Sequence, residues 1–444
     1  MAEVKINFSD ESYGRIRPLH GVNCGPMTKV FTYDARPQFR EAGFPYARLH
    51  DVEYPYGSGE FVDIHCIFKN FDADENDPAN YNFRLTDKYL EEIFAVGCEP
   101  LFRLGESIEH APVKMHIFPP KDYLKWARIC EHIIRHYTEG WAEGYHWKID
   151  YWEIWNEADG ESKKMWQGTP EEFYEFYDVA ATYLKGKFPH LKIGGCAFCR
   201  AVKPFMDNFL KYITTRDHKV PLDFYSWHRY FADIDGAMLT EAKAAREMLN
   251  RYGFYDTESV FDEWNYMEDW ANQPPSYRII KNDQGAAFCA GVLCTLQQET
   301  DVTMATYFEA DVVKEWCGLF DVKDMSIGKT KATVTPLKPF YAFRAFNELY
   351  RLGDAVEAVS DTRGIKACAA KGNGKNALLI SNCTGEDTEV VIALSGLIDH
   401  GLEVLLTDKT YTFTRVAAYE LTGDTKITLP MKANAFAYLG SVLE

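Results

Sequence analysis

From residue 20 to residue 350 the chain repeats one rhythm. A short apolar or aromatic run is followed by a longer stretch of helical period, and Gly, Pro, Asp or Asn closes each pair. Eight such pairs can be counted, with strand-like runs at 21–25, 46–51, 99–105, 151–157, 192–198, 223–230, 259–265 and 302–310. The helical stretches between them include 86–96, 121–137, 170–187, 203–216, 241–251 and 283–299, with 339–350 closing the series. Eight strand-then-helix units suit an α/β fold of the (β/α)8 TIM-barrel type better than an open doubly wound sheet. No G-x-G-x-x-G follows the first run, so a dinucleotide site finds no support. Spacing alone leaves the open sheet as the competing arrangement.

Near Gly353 the rhythm changes. From Asp354 onward the helical pattern stops, and short strand-like runs at 377–381, 390–394, 411–415 and 426–429 succeed one another with Gly, Asn and Asp between them. This reads as a small all-β unit, a sandwich. The run at 4–8 precedes the barrel and has nothing local to pair with, so it is expected to join that sandwich. The expected division is a catalytic barrel over 14–350 and a β-sandwich accessory domain from 1–13 and 351–444.

Composition removes several classes of function. With 46% hydrophobic residues, including 10 Trp, 27 Tyr and 29 Phe, the chain has the mass for a large core and is not a disordered or fibrous protein. Its 48 Lys+Arg against 66 Asp+Glu give a net charge of −18, which disfavours nucleic acid and anionic membrane as partners. No apolar run approaches the ~20 residues of a spanning helix, and residues 1–7 lack a signal-peptide core. Eleven cysteines scattered from Cys24 to Cys383 read as reduced thiols. The sequence therefore leads us to expect a cytoplasmic protein, and it leaves homo-oligomerisation open.

In a barrel of this type the chemistry lies at the C-terminal ends of the strands. Two ends stand out: Tyr151-Trp152-Glu153-Ile154-Trp155-Asn156-Glu157 on the fourth strand and Val260-Phe261-Asp262-Glu263-Trp264-Asn265 on the seventh. Alternation puts Glu153, Trp155 and Glu157 on one face, and sets Asp262 and Glu263 on opposite faces, so that only one of the latter two enters the mouth. Glutamates from strands 4 and 7 face each other across an eight-stranded barrel. Glycosidic cleavage needs such a pair, one to protonate the leaving oxygen and one to stabilise or attack the developing oxocarbenium centre.

Trp155-Asn156-Glu157 after strand 4 together with Glu263-Trp264-Asn265 after strand 7 resembles the clan A glycoside hydrolases. Within that clan the chain is most similar to family 39, which contains β-xylosidases and α-L-iduronidases. The closer likeness is carried by His20-Gly21-Val22-Asn23-Cys24-Gly25-Pro26, Arg48-Leu49-His50-Asp51 and the Glu263-Trp264-Asn265 triplet. The resemblance implies Glu157 as acid/base, Glu263 as nucleophile, and Arg48, His50, Asn156, His228 and Tyr230 as pocket residues. The residue types suit those roles: Asn156 can bond a sugar 2-hydroxyl, Tyr230 can donate to Glu263, and His228 can bond near the acid/base. Tyr307-Phe308-Glu309-Ala310 departs from the family pattern in lacking a substrate-stacking Trp, a part that Trp316 is expected to take. The implied reaction is a retaining double displacement without metal or organic cofactor. The implied substrates are short xylo-oligosaccharides, with α-L-arabinofuranosides and β-galactosides next. Transglycosylation uses the same residues, and a non-catalytic carbohydrate-binding protein is the remote alternative.

Other signals carry less. Cys196-Ala197-Phe198-Cys199 is a single C-x-x-C without a partner pair. His132 and His136 share a helix face without the H-E-x-x-H order, and are expected at the surface or an interface. The acidic run 72–77 lacks the Gly and the closing Glu of a calcium loop. The first strand lacks the H-x-H of a metal-dependent barrel hydrolase.

Overall fold

The computed structural model describes residues 1–441 apart from 29–31, 55–56, 58, 161–164, 313 and 324–332. Eight parallel strands close into a barrel in chain order: Gly21–Asn23, Tyr46–Arg48, Glu99–Leu104, Tyr151–Ile154, Lys192–Phe198, Phe224–Phe231, Glu258–Tyr266 and Val302–Tyr307. The open sheet is thereby excluded. Several strands stop short of the apolar runs that mark them, the fourth at Ile154 and the eighth at Tyr307. Beyond these ends the regular ladder gives way to single backbone bonds, such as Trp155 N–H to the Leu104 carbonyl at 2.7 Å and Phe308 N–H to the Trp264 carbonyl at 3.1 Å, and these residues form the barrel mouth.

Local sequence accounts for the helices. Pro170–Lys187 begins at a capping box, in which Thr169 accepts from the Glu172 N–H while Glu172 reaches back to the Thr169 N–H. Arg36–Ala42, a helix between the first two strands that periodicity does not reveal, has Pro37 in its first turn and ends at Gly43 in the left-handed region. Asp283–Glu299 is capped by Asn282 and buried almost continuously from Gly285 to Gln297. A helix apolar all round needs a partner on each side. This one lies between the barrel and the strands Ile365–Gly372, Lys375–Asn382 and Ala435–Gly440.

Those strands belong to an antiparallel seven-stranded sheet ordered Gly14–Arg15, Asp354–Val356, Ile365–Gly372, Lys375–Asn382, Ala435–Gly440, Gly401–Thr407, Thr414–Glu420. Its two faces go to different cores, as alternation requires. Cys368, Ala370, Ala377, Leu379 and Phe436 join the barrel core. Ala369, Leu378, Ile380, Val404 and Leu439 form a second core with Val4, Ile6, Val390, Ile392 and Leu429. The latter group comes from a four-stranded sheet ordered Ala358–Ser360, Ala2–Asn7, Thr388–Ser395, Thr425–Met431. Ala2–Asn7 pairs in parallel with Thr388–Ser395, so the N-terminal strand is an inner strand of the C-terminal β-unit.

Two expectations need correction. The run at 411–415 is mostly turn, because Asp408 accepts from the Thr410 and Tyr411 N–H groups at 2.7 Å and holds the chain there; the strand starts at Thr414. His132 and His136 are not surface residues. His136 is 2% exposed, stacks on Phe83 with ring centroids 3.6 Å apart and meets Asp87 at 3.0 Å, while His132 is half-buried against the Arg128 carbonyl. Their helix packs that face on its neighbour. No helix among the described residues is long and apolar enough to cross a membrane.

Candidate active site

Arg48, at the end of the second strand, is fully buried, and its guanidinium organises the mouth. Its Nε donates to Glu153 Oε2 at 2.7 Å and lies 3.1 Å from Asp262 Oδ2. Nη1 donates to Glu263 Oε1 at 2.8 Å and Asn23 Oδ1 at 3.1 Å, and Nη2 donates to Asn156 Oδ1 at 2.7 Å. One cation thus serves three carboxylates, and although burial opposes its charge, Glu153, Asp262 and Glu263 together drive its pKa far upward.

Alternation fails at both candidate strand ends, for different reasons. After Ile154 the backbone turns through positive φ at Trp155 (70°) and Glu157 (46°), so Trp155 does not share a face with Glu153 and Glu157. Its indole points out among Trp126, Trp166 and Phe176, while Glu153 and Glu157 turn inward. Gly105 permits this close approach, since a Cβ there would lie 3.0 Å from the Trp155 Cα. On the seventh strand the pairing slips: Trp227 opposes Phe261, and the next residue, His228, opposes Glu263. Asp262 is the extra residue of a bulge, and its carbonyl is satisfied by Asn23 Nδ2 at 2.8 Å and Thr306 Oγ1 at 2.6 Å. As a result Asp262 and Glu263 both point at Arg48, contrary to the expectation that only one enters the mouth.

Glu157 and Glu263 stand on either side of His228. The imidazole Nδ1 is 2.9 Å from Glu157 Oε1 and 3.4 Å from Glu263 Oε2, and one ligand atom from each of the three residues lies within 4.8 Å of the others. Tyr230 donates its hydroxyl to Glu263 Oε2 at 2.8 Å. Burial and the charge of Glu263 hold that phenol far above its ordinary pKa, so it stays a donor. His50 lies 3.5 Å from Glu263 Oε1; burial and Arg48 keep its pKa well below the ordinary value, so it is neutral. Asn156 spends its oxygen on Arg48, while its Nδ2 is buried without a partner. Trp316 is half-buried beside Tyr230 (4.9 Å between centroids) and Phe308 (6.2 Å), next to the 53% exposed Trp270 at 5.7 Å. The eight residues expected in the pocket, Arg48, His50, Asn156, Glu157, His228, Tyr230, Glu263 and Trp316, therefore come to the same mouth.

Burial works to raise both Glu157 and Glu263. The hydrogen bond and charge of His228 outweigh it at Glu157, which is held below the ordinary range. At Glu263 burial prevails over His228 and Arg48, helped by the charges of Glu157 and Asp262. Glu153 is pushed up to about 8 by burial against the pull of Arg48. His228 rises well above its usual value, because Glu263 and Asp262 overcome its desolvation.

Several residues here were not singled out as site residues from the sequence. Glu153 and Asp262 complete the charge cluster, and only a bulge, which leaves no trace in hydrophobic pattern, brings Asp262 in. Cys199, one of the C-x-x-C pair, has its thiol on Glu157 and its N–H on Asp159 Oδ1 at 2.9 Å. Glu309 is fully buried, with Oε2 3.3 Å from Cys24 Sγ and Oε1 unpartnered.

Two groups of described residues have the spacing of metal ligands: Glu157, His228 and Glu263, and Asp63, His65 and Glu106. In the first, Arg48 already supplies the positive charge. In the second, Asp63 spends its oxygens on Arg103 at 2.5 Å and on Ser107, and Glu106 bonds His65. All eleven cysteines are free.

Residues 24–315 match the model of the glycosyl hydrolases family 39. A β-xylosidase of Geobacillus stearothermophilus is 28% identical over 347 residues, 71% of this chain and 65% of the relative's length. A β-xylosidase of Caldicellulosiruptor saccharolyticus is 25% identical over 409 residues, 86% of this chain and 78% of the relative. Among solved structures, a glucosidase from Croceicoccus marinus superposes with a TM-score of 0.79 at 22% identity, covering 99% of this chain and 98% of that one, and so supports the fold. With the family model matched from the end of the first barrel strand to beyond the eighth, the chain belongs to glycosyl hydrolases family 39.

Proposed function

We propose that the protein is a retaining exo-acting β-xylosidase that cleaves short xylo-oligosaccharides from the non-reducing end, with Glu263 as nucleophile and Glu157 as acid/base. The observation that carries the mechanism is the short gap between the two glutamates: their facing oxygens lie within 4.8 Å. Retaining enzymes need about 5–5.5 Å between carboxyl groups, whereas an inverting enzyme leaves roughly 6.5–9.5 Å for a water. Membership of family 39 and the two β-xylosidase relatives support the choice of xylosides.

Glu263 attacks the anomeric carbon while Arg48 and Tyr230, donating to separate oxygens, hold its carboxylate in place. Glu157 protonates the leaving oxygen as the glycosidic bond breaks, and then takes a proton from the water that resolves the glycosyl-enzyme. In the resting site Glu157 Oε1 lies 2.9 Å from His228 Nδ1, and against its burial the hydrogen bond and charge of His228 hold the carboxyl low. The free Nδ2 of Asn156 is available to a sugar 2-hydroxyl, a contact that strengthens as charge develops next to it. Trp316 and Phe308 supply the apolar wall for a sugar ring. No metal or organic cofactor enters any step.

A panel of nitrophenyl glycosides tests the assignment. β-Xyloside turnover with retained configuration is expected, with α-L-arabinofuranoside and β-galactoside next; absence of any pentoside turnover overturns the substrate class. Glu157→Ala should lose about 10²–10⁴-fold on substrates with poor leaving groups and far less on dinitrophenyl glycosides. Added azide should then yield a glycosyl azide of retained configuration.

A further inference from the structure

We infer that Asp262, the residue bulged out of register on the seventh strand, is a positioning residue for proton transfer: it holds His228 doubly protonated, with the Nδ1 proton aimed at Glu157. The inference rests on the reading of Glu157 as acid/base.

The geometry that carries it is a line of three side chains. Asp262 Oδ2 lies 3.5 Å from His228 Nε2, and His228 Nδ1 lies 2.9 Å from Glu157 Oε1. The Asp262 and His228 side chains are 0–1% exposed. Asp262 Oδ2 also meets Arg48 Nε at 3.1 Å, whereas His228 Nε2 has only the Asp262 carboxylate to face. Asp262 Oδ2 is shared with Arg48, but the buried Nε2 has no other partner, and a buried ring nitrogen facing a buried carboxylate is compensated only if it bears a proton. With a carboxylate at each nitrogen the ring is an imidazolium, and rotation is blocked because both ends are engaged. The bulge is what puts Asp262 there, since in regular register it would turn away from the barrel interior.

The charged and titratable groups gathered around His228 fit this state. From the fourth strand and its extension come Glu153, Glu157 and Asp159; from the seventh, Asp262 and Glu263; from the second, Arg48 and the neutral His50; after the fifth, the Cys199 thiol; and Tyr230 is on its own strand. Arg48 is committed to Glu153, Asp262 and Glu263, leaving His228 as the cation that meets Glu157.

The proton accounting closes. Passage of the Nδ1 proton to Glu157 leaves a neutral imidazole and a carboxylic acid. The acid gives that proton to the glycosidic oxygen as the bond to the anomeric carbon breaks. In the second half-reaction Glu157 takes a proton from the attacking water and returns it to Nδ1, so none is gained or lost.

The test combines ¹⁵N NMR of [¹⁵N]histidine-labelled enzyme, the His228 signals being assigned with His228→Gln, with pH profiles of kcat/KM for Asp262→Asn. In the wild type both His228 nitrogens should carry protons at neutral pH. Asp262→Asn removes one flanking charge and should lower that titration by about one pH unit or more. It should move the alkaline limb for phenyl β-xyloside down by the same amount, leaving the alkaline limb for 2,4-dinitrophenyl β-xyloside, which needs no acid, in place. A neutral His228 in the wild type, an unchanged titration in Asp262→Asn, or equal movement of both limbs overturns the inference. If Asp262→Asn fails to fold, the wild-type spectrum decides alone. If no xyloside is turned over, the proposed substrate falls, while the NMR titration still judges Asp262.

Discussion

The C-terminal β-unit and the barrel mouth are built from the same kinds of short apolar strand, yet they bury opposite things. In the β-unit, alternate residues of Lys375–Asn382 go to one core or the other, Thr388–Ser395 turns Val390, Ile392 and Leu394 to the second core and its other face outward, and that core is made of Val, Ile, Leu, Ala and Met with Phe8. At the mouth, three buried carboxylates and the part-buried Glu157 are gathered with a buried arginine and two buried histidines. The β-unit obeys alternation; the mouth breaks it at Trp155, Glu157 and Asp262. Buried charge is costly unless paired, so a strand end that departs from its local rule to gather charge is serving chemistry rather than stability.

That contrast can be broken experimentally. The largest effect is expected from Arg48→Met, which leaves Glu153, Asp262 and Glu263 without their shared cation. Loss of one partner from a buried ion cluster costs about 3–5 kcal/mol, read by urea denaturation, and turnover should disappear with it. Ile392→Ala in the fully buried second core should cost roughly 2–5 kcal/mol through its cavity while kcat/KM of the folded protein stays at the wild-type value. A change in catalysis from Ile392→Ala would show that the two regions are not separable in this way.

Smaller effects sharpen the electrostatic side. Because burial together with Glu157 and Asp262 raises Glu263, and the proposed attack by Glu263 requires it ionised, activity should be lost as pH falls through a value above the usual carboxylate range. Glu157→Gln removes one of the raising charges. Its kcat/KM on 2,4-dinitrophenyl β-xyloside should therefore show an acid limb at lower pH than wild type, and an unmoved limb would mean the two carboxyls do not sense each other. Trp270→Ala, which removes the exposed ring beside Trp316 and Tyr230, should raise KM roughly three- to tenfold with little change in kcat.

The contrast also explains what could be read from the sequence. The barrel was legible because eight strand-helix pairs are a long, repetitive signal, and Glu157 and Glu263 because polar residues interrupt aromatic runs at strand ends. In the β-unit, Thr388–Ser395 and Thr425–Met431 show their alternation openly, whereas Ala435–Gly440 is buried on both faces and has none to show. Helix Arg36–Ala42 is too short for periodicity to reveal. The bulge at Asp262 was illegible because register depends on the neighbouring strand and on the Asn23 and Thr306 side chains that satisfy its carbonyl, partners more than 40 residues away in sequence. Glu153 was read on the correct face, but its bond to Arg48 links residues 105 positions apart.

The central claim is that Glu263 forms a covalent glycosyl-enzyme opposite Glu157, and trapping tests it most directly. Incubation with 2,4-dinitrophenyl 2-deoxy-2-fluoro-β-xyloside should release one equivalent of dinitrophenol and add one fluoroxylosyl group, located by peptide mass spectrometry on Glu263. A label on Glu157 or any other residue would contradict the account, as would an unlabelled protein that still turns over dinitrophenyl β-xyloside.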